Sequence, residues 1–273
     1  MVKLGYNSNG FTSHRLNDGL CMLADCGYQA VAITPDVCHL DPRDTSANEL
    51  EATAKLCRDL GLEVVIETGA RYVLDPLRKH RPNLLEPDES RMIRLRFLQQ
   101  MLEWCEIFNA KTLSLWSGAL PPGQSSPQAE HYFLEAIHSL SSSAGENIKV
   151  AIEPEPGHWL ANTSDWQKIK PQLPSNVGLC LDIGHLLVND KHSPAEAIEI
   201  FKDDIIALQL DDMRRGEHTH CAPGEGDVDW PSLVAACEKH LSPDITACFE
   251  LSRDSHRFHQ LVKSCSELYK GLC

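Results

Sequence analysis

The chain has 273 residues, 42% of them hydrophobic and 23% charged, which allows a sizeable buried core and suits either one large barrel or two small domains. Its 39 acidic residues outnumber 25 basic ones, and the formal net charge of −14 opposes binding to phosphate backbones, so a nucleic-acid partner is not expected. No segment approaches the roughly 18 uninterrupted apolar residues of a membrane span, and the first ten residues lack an export pattern, so we expect a soluble, cytoplasmic protein with no membrane association.

Short β-rich runs alternate with helical stretches along the whole chain, the mark of a parallel α/β architecture. Val2–Tyr6 is the first expected strand, followed by a helix over Arg15–Cys26 that Gly27 ends. Gln29–Thr34 is the second strand. A helix then starts at Ser46, with Glu49 in capping-box position, and runs to Gly61 before the third strand, Leu62–Thr68. A long Pro- and Arg-rich connection, residues 69–88, leads to an amphipathic helix over Glu89–Phe108 and the fourth strand, Lys111–Trp116. The helix Gln128–Ser143 precedes strand five, Ile148–Glu153, and a short helix Ser164–Ile169 precedes strand six, Val177–Asp182. Pro194–Lys202 and Trp230–His240 are helices around strand seven, Ile205–Leu210; strand eight is Ile245–Glu250, and a last helix covers Asp254–Tyr269. No linker interrupts these units, so residues 1–273 are expected to form one closed (β/α)8 TIM barrel.

Eleven cysteines are spread along the chain, odd in number and never as C-x-x-C, which points to reduced thiols. Cys57, Cys105, Cys180, Cys237 and Cys248 fall inside expected elements and are assigned to the core; Cys221, in a polar loop, is the one thiol that stands apart.

Four late strands end in acidic or amide residues: Glu153, Asp182, Gln209 and Glu250. In a parallel barrel every strand opens its C-terminal end on the same mouth, so these side chains can converge. Carboxylates brought that close raise one another's pKa unless a cation lies between them, and hard oxygen donors suit one divalent ion: magnesium, manganese, cobalt or zinc. Glu67 and Trp116 end strands three and four and are assigned to the substrate wall. Glu155, between Pro154 and Pro156, reads as a loop carboxylate; Arg71, Arg78, Lys79, His80 and Arg81 read as a solvated basic loop rather than as a phosphate or carboxylate site, and His218 and His220 as polar loop residues rather than ligands of a second metal.

The stretches Asn176–His185, Gln209–Asp212 and Pro223–Trp230, with the strand-end Glu153 and Glu250, resemble the xylose isomerase-like barrels, a superfamily of sugar isomerases, ketose 3-epimerases, hydroxypyruvate isomerases, inosose dehydratases and endonuclease IV. The resemblance implies that Glu153, Asp182, Gln209 and Glu250 hold one metal, although most members place His where Gln209 stands. It implies substrate contacts from His185 and Arg215, and proton removal and return by Glu153 and Glu250 beside a carbonyl whose enediolate the metal stabilises. The expected function is therefore a sugar or sugar-phosphate isomerase or epimerase in carbohydrate metabolism, binding a small molecule and forming a homo-oligomer. The alternatives are a dehydratase acting on a keto-inositol or oxidised sugar, an endonuclease IV-like repair enzyme, and a noncatalytic sugar-binding barrel.

Overall fold

The computed structural model describes residues 1–273, with Asp88 as backbone only. Eight strands form a closed barrel in sequence order, every pairing parallel: β1 (Lys3–Asn7), β2 (Ala30–Ile33), β3 (Glu63–Glu67), β4 (Thr112–Trp116), β5 (Lys149–Glu153), β6 (Val177–Asp182), β7 (Ile205–Leu210) and β8 (Thr246–Phe249). The helices are α1 (Leu16–Asp25), α2 (Ala47–Asp59), α3 (Asp88–Phe108), α4 (Ser126–Ser143), α5 (Thr163–Ile169), α6 (Ile183–Asn189), α7 (Pro194–Phe201), α8 (Trp230–His240) and α9 (Phe258–Leu272). The expected barrel and its strand order are thus found. Three elements go beyond expectation: α6 directly after β6, and 3-10 turns at Ser8–Phe11 and Lys170–Gln172. The capping box also moves. Ser46 accepts the Glu49 N–H at 3.3 Å, but the reciprocal box forms at Ser193 and Glu196, at the start of α7.

Strand alternation explains both the core and the site. One parity of each strand, including Tyr6, Ile33, Ile66, Leu115, Ile152, Leu181, Leu208 and Phe249, belongs to the large buried apolar cluster shared with the helices. The opposite parity points into the barrel. There the middle layer is built from small side chains: Ala32, Val65 and Cys248 pack together, as do Ala151, Cys180 and Ala207. Gly5 completes this layer, since a Cβ there would lie 2.5 Å from Cys248 Sγ and 3.1 Å from Ala30 Cβ. Cys180 and Cys248 serve as small apolar residues, and Cys57, Cys105 and Cys237 are likewise buried and free.

Two residues further along the same parity, each strand presents its last inward side chain. Around the barrel these are Asn7, Thr34, Glu67, Trp116, Glu153, Asp182, Gln209 and Glu250, all at the C-terminal end. The register matches: Trp116 pairs with Glu153 and Asp182 with Gln209. Glu250 lies one residue past β8, yet its N–H still donates to the Leu210 carbonyl at 2.8 Å, which keeps it in line with the strand.

A tight, small-residue layer beneath a polar ring leaves no room for growth. Ala151→Leu is expected to destabilise the protein by about 1–3 kcal/mol through overpacking, read as a lowered urea midpoint; an unchanged midpoint would show that the interior is loosely filled.

Candidate functional site

The polar ring closes the floor of a cavity of about 250 Å³, whose lining includes Thr34, Glu67, Trp116, Glu153 and Glu250. Asp182, His185 and Gln209 are buried beside it. The ring is wired by hydrogen bonds across β1, β2, β3 and β8. Asn9 Nδ2 donates to Glu250 Oε1 at 2.9 Å, and the Asn9 N–H donates to Asn7 Oδ1 at 3.0 Å. The Thr34 hydroxyl lies 2.7 Å from Asn7 Oδ1 and 2.6 Å from Glu67 Oε2. One hydroxyl proton serves one acceptor at a time, so whenever Thr34 donates to Asn7, Glu67 must carry the proton between them. Burial, and then the charge of Glu250, pushes Glu67 up to about 7 against the Thr34 hydrogen bond.

The remaining carboxylates repel one another. Glu153 is held well above the usual carboxylate range by burial, then by Glu250, Glu155 and Asp182. Burial raises Asp182 and Glu250 as well. Asp182 divides its two oxygens: Oδ1 caps α6 by accepting the His185 N–H at 2.9 Å, while Oδ2 is buried with no partner among the described residues. Gln209 Oε1 is buried and unpartnered in the same way. Buried acceptors without donors, beside carboxylates that resist sharing negative charge, are what a cation satisfies; Glu153, Asp182 and Gln209 therefore fit a hard divalent ion. Glu250 is the neighbouring charge that raises Glu153 most. It is missing from the groups of ligand atoms that lie within 4.8 Å of one another, which are Glu153 with Asp182 and His185, Asp182 with Asp211 and His220, and His185 with His218 and His220.

His185 belongs to two of these three groups. Its Nδ1 lies 3.2 Å from the Pro154 carbonyl and so carries the proton, leaving Nε2 as a buried lone pair without a partner among the described residues. Burial, and then the neighbouring His220 and His218, keeps this ring neutral. Glu155 stands beside it, 3.7 Å from His185 Nε2 and 3.5 Å from His218 Nε2, and burial pushes its carboxyl up to about 8.

Glu155, His218 and His220 are thus cavity residues, contrary to their sequence assignment as loop polar groups. The reason lies in the paired aspartates after β7. Asp212 is buried and ties the loop together: it accepts N–H groups from Gly224 at 2.8 Å and Val228 at 3.0 Å, and the Trp230 indole at 3.1 Å. Gly226 must lack a side chain there, since a Cβ would lie 2.3 Å from Asp212 Oδ1. Asp211 accepts the Gly184 N–H at 2.9 Å and pairs with His220 Nδ1 at 2.6 Å. Burial opposes charge on both partners, but the ion pair prevails on His220, which is pushed up to about 10. The loop is folded back over the mouth by these bonds, which is invisible in local sequence.

Trp116 lines the opposite wall, its ring edge-on to His80 at 5.1 Å and His158 at 4.9 Å, with the buried Arg94 guanidinium 4.3 Å from the ring centroid. Arg94 donates to the Thr68 carbonyl at 2.5 Å; a charged residue buried on a helix carried no sequence signal of this role. The long β3–α3 connection also splits: Arg71, Lys79 and His80 line the cavity, whereas Arg78 and Arg81 pair with Asp75 and Glu86. Arg215 is exposed and absent from the cavity lining; its N–H is held by Asp227 at 2.9 Å. Cys221 donates to the Asp212 carbonyl at 3.0 Å, and burial, then Asp212, pushes its thiol up to about 11, which disfavours the thiolate. No described helix is long and apolar enough to cross a membrane.

The xylose isomerase-like TIM barrel family model matches residues 22–268, and the chain belongs to that family. Among solved structures, it is similar to D-allulose 3-epimerase from Methylomonas sp. in complex with D-allulose, with a TM-score of 0.77 and 15% identity over 100% of this chain and 97% of that one. It is similar to the IOLI protein with a bound zinc atom at TM-score 0.76 and 15% identity, over 99% and 96% of the two chains. The probable 3-DHS dehydratase AsbF from Bacillus anthracis matches at TM-score 0.74 and 12% identity, over 98% and 99%. At these identities the likeness is one of fold. No curated protein sequence matches the chain.

Two of the wall histidines make stability depend on pH. Burial lowers His80 to about 4 and His158 to about 3, from an ordinary value of 6.5. Above about pH 6.5 neither state charges them; as pH falls below it the unfolded chain takes up protons that the folded protein refuses, so stability is lost toward the folded values. By about pH 5 each costs roughly 2 kcal/mol. We expect the melting temperature of His80→Asn/His158→Asn to fall less than the parent's between pH 7 and pH 5; parallel curves would contradict buried, neutral rings.

Proposed function

We propose that the protein is a divalent-metal-dependent isomerase or epimerase that moves a proton beside the carbonyl of a small polyhydroxy compound. The observation that carries this is the convergence of Glu153 with Asp182, and of Gln209 paired in register with Asp182, beside Glu250 at the mouth of one barrel, with buried unpartnered oxygens on Asp182 and Gln209. When bound, manganese, magnesium, cobalt or zinc would polarise the carbonyl and stabilise the negative charge that develops as the neighbouring proton leaves.

The chain's own groups supply the rest. Glu153 and Glu250 both reach the cavity from different strands, so one can take the proton while the other returns it to the opposite face of the planar carbon. Asn9 fixes Glu250 by its 2.9 Å hydrogen bond, which holds the carboxylate at one angle. His185 offers its Nε2 lone pair to a substrate hydroxyl, and Trp116 forms an apolar wall for the carbon face. The covered, largely buried floor excludes water from the carbanion-like centre.

Loss of a β-hydroxyl after the same proton abstraction would make the enzyme a lyase. Glu155 supports this second reading, since it supplies a further carboxyl on the Glu153 side of the cavity, 3.7 Å from His185. Product analysis separates the two reactions.

The test begins with metal content after manganese, cobalt, zinc and magnesium are offered, and proceeds to exchange of a substrate C–H proton in deuterated water across a panel of ketoses and their derivatives. Glu153→Gln is expected to lower exchange by about 10²-fold or more with the barrel still folded by circular dichroism. Full exchange in that variant would remove Glu153 from its role, and failure to bind any of the four metals would end the mechanism.

A further inference from the structure

The cavity is lined by groups of both charges. Glu67, Glu153, Glu155 and Glu250 line its floor, while Arg71 and Lys79 from the β3–α3 connection and Arg253 from the β8–α9 connection line its rim. In a chain with 25 basic and 39 acidic residues, cations gathered around one opening from two distant connections stand out from the background. Other cations of the same two connections are neutralised locally: Arg78 by Asp75, Arg81 by Glu86 and Arg257 by Glu225, each at 2.6 Å. Lys79 and Arg253 form no ion pair and no side-chain hydrogen bond among the described residues. Arg71 reaches Asp36 only at 3.9 Å through Nε, and its Nη2 is buried with no hydrogen-bond partner.

Had these cations served only to offset the carboxylates below, they would pair with them. Arg71 does lie close enough to Glu67 and Glu250 to favour their charged forms, but Lys79 and Arg253 remain uncommitted, and both act on His218 across the mouth. A buried guanidinium N–H lacking an acceptor is unfavourable until an acceptor arrives, and a guanidinium that lines the same cavity as two further cations suits an oxyanion. The net charge of −14 repels anions from the surface in general, so an anionic ligand requires such a local patch. The cavity volume of about 250 Å³ restricts that ligand to a small metabolite.

We propose that the substrate carries an anionic group, a phosphate or a carboxylate, bound at the rim by Arg71, Lys79 and Arg253 while its carbonyl end lies over Glu153 and Glu250. The carbonyl half of this statement rests on the isomerase or epimerase function proposed above; the anion subsite stands on the rim alone.

Inorganic phosphate titrated calorimetrically into the metal-loaded full chain tests the subsite. Phosphate is expected to bind the parent and Arg78→Gln alike, and Lys79→Gln/Arg253→Gln about tenfold or more weakly, at equal metal content and melting temperature. In deuterated water, ketoses bearing a phosphate or an acid group should exchange at a lower KM than neutral ketoses, with the advantage lost in the double variant; whichever anion shows the larger advantage identifies the group. Equal phosphate affinity in parent and double variant overturns the proposal, as does phosphate binding that disappears on chelation but not on substitution. Exchange of neutral ketoses at a KM that anionic ones do not better overturns it too, leaving the isomerase function intact. Phosphate binding lost in the double variant, without exchange on any carbonyl compound, upholds the subsite and removes the isomerase function instead.

Discussion

Mutual repulsion among buried carboxylates is the constraint on which the rest of this structure depends. Glu153, Asp182 and Glu250 are brought to one end of the barrel away from water, and burial with neighbouring negative charge raises all three. A protein does not retain such a cluster for stability, since apolar residues would pack there at lower cost. The cluster makes sense as a cation site, and the orphaned Asp182 Oδ2 and Gln209 Oε1 show where its unused acceptors lie. Around it the fold supplies partial compensation: the protonated His220 held by Asp211, the Asn9 amide on Glu250, and the α6 N-terminus on Asp182.

The barrel makes that convergence possible by strict alternation. Each strand turns its bulky residue outward to the helices and a small one inward, and only at the last inward position does a functional side chain appear. Gly5, Ala32, Ala151 and Ala207 are therefore part of the site's construction, because the polar ring can sit on the interior only if the layer beneath stays thin. The connections then add what the strands cannot. The loop after β7, tied by Asp212, brings His218 and His220 over the mouth, and the β3–α3 connection adds Arg71, Lys79 and His80. Strand ends thus supply most of the cavity's carboxylates and the connections its cations and histidines.

Composition, hydrophobic alternation and strand-end acids were enough to determine the eight-stranded parallel barrel and to single out Glu67, Trp116, Glu153, Asp182, Gln209 and Glu250, because those signals are local: a period of two, a turn, a terminal polar residue. α6 escaped because its seven residues contain Gly184, a poor helix former whose place is set by close contact with Asp211. Glu155, His218, His220, Arg94 and Lys79 carry no such local mark. A carboxylate between two prolines, or a histidine in a glycine-rich loop, has the same sequence appearance whether it faces water or a cavity. Only tertiary structure decided which, since the choice was made by long-range hydrogen bonds: Asp212 to Gly224 and Val228, Asp211 to Gly184, and Arg94 to Thr68. Those bonds join residues that are far apart in sequence or hidden within one loop, and their energy is realised only when the barrel has closed.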